Sequence, residues 1–205
     1  MVACTKVTET DRIEAFSDGV FAIAITLLIL EIKVPLQVGP GHLGRALLSE
    51  WPSFLAFLAS FFTVGVMWMN HHRLFNVIGA ADETLIALNM LLLLVVTWVP
   101  FPTAVLAAHL RISSNDRVAG VLYSATFFAM SIVFQVLWHH AIRTTGVIVP
   151  EKAEETSHIT RQYLWGPLLY VVGILIALVS GTLCLIWSAL VAIYFAIPPR
   201  IIVRR

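Results

Sequence analysis

RIEAFSDGVFAIAITLLILEIKVP, residues 12–35, is the stretch on which the reading of the whole chain turns. No residue from Gly19 to Leu30 carries a charge, and a helix over 12–33 is about 33 Å long at 1.5 Å per residue, enough to cross the roughly 30 Å of hydrocarbon in a bilayer. A plain anchor would be apolar throughout, whereas this one has Ser17 and Asp18 at its head. An ionisable side chain at membrane depth is costly unless a protein group meets it, so Asp18 is expected to have a partner. At 100° per residue, with Ile23 set at zero, Leu27 falls at about +40°, Leu30 at about −20°, Phe16 at about +20° and Asp18 at about −140°. The aliphatic row and the carboxyl therefore lie on different faces. One side of the helix is expected to be clasped by protein and the other left free to face something else.

The rest of the chain has the same apolar character. Of its 205 residues 59% are hydrophobic and 12% charged, with a mean hydropathy of +0.89, where a soluble domain carries about 25% charged residues. This is the composition of an integral membrane protein. A net charge of +1, with no basic patch or stacking motif, gives no reason to expect nucleic acid as a partner. Cys4 and Cys184 have neither metal-ligand spacing nor a local partner, and read as a tail thiol and a small buried hydrophobe. Thr5, Thr8, Glu9 and Asp11 precede the first apolar run and no small-residue cleavage site follows it, so a retained helix is expected rather than a signal peptide.

A spanning helix needs about 20 mostly apolar residues. On that measure six are expected, near 12–33, 50–71, 83–107, 117–139, 161–179 and 182–198, in a single six-helix domain over 1–205. Ser49 is the expected N-cap of the second, with Pro52 in its first turn. Asp82 and Glu83 suit the start of the third, and Pro100 and Pro102 should end or kink it. The fourth follows a polar turn at 113–116 and closes with His139 and His140. A polar connector over 143–158 separates it from the last pair, joined at Ser180 and Gly181 as a tight hairpin; Pro198 and Pro199 stop the sixth helix ahead of the basic residues Arg200, Arg204 and Arg205.

With six spans, Lys6, Arg12, Arg73, Arg143, Lys152, Arg161, Arg200, Arg204 and Arg205 fall on one side, against Lys33, Arg45, Arg111 and Arg117 on the other. The excess of basic residues puts both termini in the cytoplasm. Asp18 and Ser17 then share a depth with Trp68, Asn70 and His71 at the far end of the second helix. These residues can supply donors to a carboxylate, with Arg12 one to two turns lower. The alternative is a wet Asp18 beside ordinary interfacial residues. His71, His72, His139, His140 and His158 also fall on that side, but as two His-His pairs with no HxxxH spacing, so no metal centre is expected.

Arg12, Phe16, Ser17 and Asp18, in the spacing Arg-x-x-x-Phe-Ser-Asp followed by GVFAIAITLLILEI, resemble the signature of the transmembrane-protein-175 family of potassium channels. The motif match is confined to residues 12–35; beyond them the likeness rests on length and helix count. It implies an all-α integral membrane protein of the plasma (inner) membrane, with six transmembrane helices per subunit and a homotetramer whose first helix lines a central pore. It further implies potassium as the permeant ion, lipid and further copies of the chain as partners, no cofactor and no enzymatic activity. An apolar row at i, i+4 and i+7 is ordinarily core; the resemblance turns Ile23, Leu27 and Leu30 into the expected selectivity and gate rings. Arg12, Phe16, Ser17, Asp18, Trp68, Asn70 and His71 become the expected clasp.

No Thr-Val-Gly-Tyr-Gly segment and no arginine ladder is present, so selection would come from side chains at a narrow constriction. Thr26 is expected either to touch the ion or to bond back to the carbonyl of Ala22. Glu31 either concentrates cations at the mouth or sits solvated beside Lys33. The rival functions are a proton-coupled secondary transporter with Asp18 as its proton site, and a non-conducting scaffold.

Overall fold

A computed structural model describes residues 9–36, 39–110, 115–144 and 146–197. Cys4, Lys6, Arg111, residues 113 and 114 of the turn at 113–116, the prolines at 198–199 and the basic residues beyond them lie outside the described residues. The described elements are α1 (Glu9–Leu27) with a 3-10 turn over Leu28–Glu31, α2 (Leu43–Ser49), α3 (Trp51–Phe75), α4 (Glu83–Trp98), α5 (Pro100–His109), α6 (Asp116–Arg143), a 3-10 turn over Pro150–Lys152, α7 (Glu155–Tyr163), α8 (Gly166–Ala177) and α9 (Gly181–Ala196).

Among the described residues, five stretches are long and apolar enough to cross a membrane: Thr10–Glu31, Trp51–Phe75, Glu83–His109, Asp116–Arg143 and Glu155–Ala177. The sixth expected span is the apolar helix Gly181–Ala196, whose 16 residues give about 24 Å of helix, short of the roughly 30 Å needed. The fifth starts earlier than expected because residues 155–158, read as connector, already belong to α7.

Two boundaries, at the start of α3 and the end of α6, differ from the sequence reading for local reasons. Ser49 does not cap α3: its hydroxyl donates to the carbonyl of Ala46 at 2.6 Å and closes the short α2, and α3 opens on Glu50, whose carboxylate accepts from Ser53 at 3.3 Å. Of the two outcomes expected at Pro100 and Pro102, the kink is the one found: the third span bends around Val99 and continues. Thr103 donates to the carbonyl of Val99 at 2.9 Å and so must accept from Ser60 at 2.8 Å, which in turn accepts from Tyr123 at 3.1 Å. That buried hydroxyl chain ties the kink to α3 and α6 and leaves no member unpaired. Lastly, α6 runs a turn past His139 and His140 to Arg143.

The long helix α6 is the hub, packed by α4, α5, α8 and α9, while α1 lies against α3 and α4. Where α9 begins, the Gly181 N–H donates to the Asp116 carboxylate at 3.1 Å, and a Cβ at 181 would stand 2.6 Å from the Asp116 carbonyl oxygen. Glycine is what lets those two helix starts touch. Cys184 is buried, as a small hydrophobe would be.

At the opposite end of α6, the polar connector is tied to the turn after α3. Ile78 and Ile148 form an antiparallel bridge, the Gly79 N–H donates to Val147 at 2.8 Å, and the Lys152 ammonium donates to the Asn76 carbonyl at 2.6 Å. Asp82 caps α4 as expected, accepting from the Leu85 N–H at 2.7 Å, and also takes the His140 Nε2–H at 2.8 Å. The Leu85 amide first, and His140 second, hold the Asp82 carboxyl below its usual value of 3.8. A depressed carboxyl stabilises the fold above its unfolded value and loses that contribution as pH falls through the folded one. Asp82→Ala is therefore expected to lower the melting temperature uniformly from pH 7 to about 5, the difference closing only below pH 4. Thermal melts across that range check it.

Candidate functional site

The inward face of α1 and the 3-10 turn that continues it is Ser17, Phe21, Ala24 and Leu28, all buried, at i, i+4, i+7 and i+11. A chain of hydrogen bonds starts there whose direction can be assigned throughout. Ser17 donates to the Ile13 carbonyl at 2.8 Å, so its oxygen accepts from Asn89 Nδ2 at 3.0 Å. The Asn89 carbonyl oxygen is then turned to His71 Nε2 at 2.9 Å, and His71 must be the donor. Its Nδ1 is buried with no partner among the described residues. The imidazole is held between Phe75 and Phe21, at ring-centre distances of 4.4 and 5.4 Å. One helix each from α1, α3 and α4 thus meets at a polar core inside an apolar bundle.

Nearer the solvent, α1 and α3 join by two rungs. Trp68 Nε1 donates to Asp18 at 2.7 Å, and Glu14 lies 2.7 Å from His72 Nδ1. Glu14 and Asp18 are four residues apart, as are Trp68 and His72, so each pair presents one face to the other. Sequence reasoning missed Glu14, His72 and Asn89. The i, i+4 spacing could have found the first two, and Asn89 is the lone polar side chain between Leu85 and Val96.

Asn70 does not join Ser17 and Asp18. About 100° round α3 from His71, its side-chain oxygen instead accepts from Arg73 at 3.0 Å and from the Tyr163 hydroxyl at 3.2 Å, while Arg73 also donates to the Ala196 carbonyl at 3.2 Å. Arg12 is exposed and makes no hydrogen bond to Asp18, Trp68 or His71. Phe16 lies outside the clasp as well, 54% exposed and on the side of the aliphatic row.

That row is uncovered along its length, with Ile23 59%, Leu27 41% and Leu30 66% exposed. The 3-10 turn over Leu28–Glu31 adds about 120° per residue, so Leu30 stands almost directly above Leu27 and the row is about 12 Å long. Thr26 donates to the carbonyl of Ile23 at 2.8 Å, one residue from the acceptor expected. Glu31 is partly buried, 4.0 Å from an exposed Lys33.

A family model described as endosomal/lysosomal potassium channel TMEM175 matches residues 12–100, beginning at the arginine of the Arg-x-x-x-Phe-Ser-Asp motif. A potassium channel of Chamaesiphon minutus is 49% identical over 201 residues, 96% of this chain and 98% of that one. The chain belongs to the TMEM175 family. A second TMEM175 relative, a potassium channel of Streptomyces collinus, is 46% identical over 188 residues, 91% of each chain. The crystal structure of a lysosomal potassium-selective channel TMEM175 homolog from Chamaesiphon minutus superposes with a TM-score of 0.83 at 49% identity, over 92% of this chain and 96% of that chain. Membership in TMEM175, a family of ion channels, and the five long apolar helices together make the protein a multi-pass membrane protein.

Proposed function

We propose that the protein is a homotetrameric, potassium-selective channel in which α1 of each of four copies lines a central pore, Ile23 forming the selective constriction and Leu27 and Leu30 the gate. The observation that carries this reading is the two-sidedness of α1. Its polar side is consumed by α3 and α4, while its aliphatic row is left exposed by the other described residues. A single subunit has no internal repeat with which to surround an axis, so other copies must cover the row. Without a carbonyl-lined filter, potassium would be selected by partial dehydration at the aliphatic ring. Each subunit is one six-helix domain over 1–205, in which α9 completes the set despite its length. Ser17, Asp18, Trp68, His71 and Asn89 hold the pore helix and do not touch the ion.

Purified protein in liposomes with a potassium gradient tests the proposal. A channel dissipates the potassium gradient rapidly and gives unitary currents in planar bilayers. Slow, proton-coupled flux abolished by Asp18→Asn would instead mark a carrier, and absence of flux a scaffold.

The channel is placed in the plasma (inner) membrane, and the excess of lysine and arginine on one side supports both termini facing the cytoplasm. A thiol label at Cys4 or a tag after Arg205 is accordingly expected to be reached from the cytoplasmic side and a label at His42 from the outside. Opposite-side labelling of the two termini would remove the sixth span.

A further inference from the structure

A groove of about 470 Å³ runs along one face of α6, lined by Ile132, Gln135, Val136, His139, His140 and Arg143. None of these residues serves the pore helix or its clasp. Ile132 and Val136 are exposed apolar side chains. His140 is already engaged by Asp82, and Arg143 is exposed and makes no hydrogen bond or ion pair with another described residue. The groove therefore grades from an apolar floor to a cation that has no ion-pair partner among the described residues.

Its depth fits a lipid. With α6 centred in the bilayer between Ala129 and Met130, Ile132 lies about 4 Å and Val136 about 10 Å from the midplane, His139 about 14 Å and Arg143 about 20 Å. The hydrocarbon ends about 15 Å from the midplane. The two aliphatic residues are then at acyl-chain depth, His139 at the boundary and the guanidinium in the phosphate layer.

We propose that this groove seats one anionic phospholipid of the leaflet at the Arg143 end, its phosphate on Arg143 beside His139 and its first acyl segments on Val136 and Ile132. Guanidinium suits phosphate through paired N–H donors. A zwitterionic headgroup brings its own cation next to the Arg143 guanidinium, whereas a phosphatidylglycerol headgroup brings only the anion that pairs with it.

The test is native mass spectrometry of the full-length protein in detergent, titrated with equimolar dioleoyl-phosphatidylglycerol and dioleoyl-phosphatidylcholine. The wild type is expected to retain phosphatidylglycerol preferentially. Arg143→Gln should cut that preference about fivefold, the equivalent of about 1 kcal/mol for one basic residue at an anionic surface. Arg143→Lys should keep most of the preference, and Arg117→Gln, at the other end of α6, should leave it unchanged. Val136→Ser should weaken retention of both lipids alike. The proposal is overturned if Arg143→Gln leaves the preference intact, if Arg117→Gln removes as much, or if millimolar inorganic phosphate displaces the lipid, which would mean an anion site without an acyl seat. It is equally overturned if Arg143→Gln breaks the oligomer without altering lipid retention, since the groove would then be a contact between copies.

Discussion

Ile23→Asn is expected to lower the potassium-to-sodium permeability ratio by on the order of tenfold, since 1.4 kcal/mol of lost discrimination between the two ions is worth that factor. An aliphatic ring offers neither ion a ligand, so the ion that sheds water more easily passes; four amides supply oxygen to both and level the difference. Leu27→Ala and Leu30→Ala act differently. They widen an apolar constriction, which conducts once it is broad enough to stay wet, so resting leak should rise while the reversal potential moves little. Because Leu30 eclipses Leu27 across the 3-10 turn, the double substitution should exceed the sum of the singles. Reversal potentials under mixed potassium and sodium, with single-channel amplitudes, provide the check. If all three positions left both quantities unchanged, the row would be buried by something other than a pore.

The clasp should show itself as stability. Asp18→Ala removes the acceptor from the Trp68 indole N–H, and Asn89→Ala strips both Ser17 and His71 of a partner. An unsatisfied buried polar group costs about 1 to 3 kcal/mol. Asp18 is only partly buried and Trp68 is exposed, so water can replace part of what Asp18→Ala removes, and its cost belongs near 1 kcal/mol. Asn89 is fully buried, so Asn89→Ala belongs at about 3 kcal/mol or above, two groups being orphaned. Oligomer yield in detergent and thermal melts should fall in that order, with permeability ratios preserved in whatever assembles. Normal assembly of Asp18→Ala with altered ion selectivity would instead put Asp18 in the pore.

How much of this could be read in advance follows from where each signal is stored. The first helix was legible because its apolar run is long and its polar residues are few, and Asp82 because an acid ahead of an apolar run is a local capping signal. The angular split between Asp18 and Ile23 also needed nothing beyond helix geometry. By contrast α2 covers seven residues that include Gly44 and Arg45, too short and too weakly apolar for any periodicity. The position of Asn70 was misjudged by one residue, which on a helix is a quarter of the circumference. Asn89 and the Ile78–Ile148 bridge depend on which helices become neighbours, and a single chain read in order holds no record of that. Even the start of α6 against α9 is visible at Gly181 only once Asp116 is known to stand beside it.

The one-way run of donors from His71 through Asn89 and Ser17 to the Ile13 carbonyl means that shape alone does not qualify a residue for position 89. Aspartate has the outline of asparagine and would still accept from His71. It has no hydrogen to give Ser17, whose own is already spent on Ile13. Two side chains that no space-filling criterion would separate are therefore chemically unequal at this point, and a redesign of the bundle that scored only volume and burial would choose between them blindly.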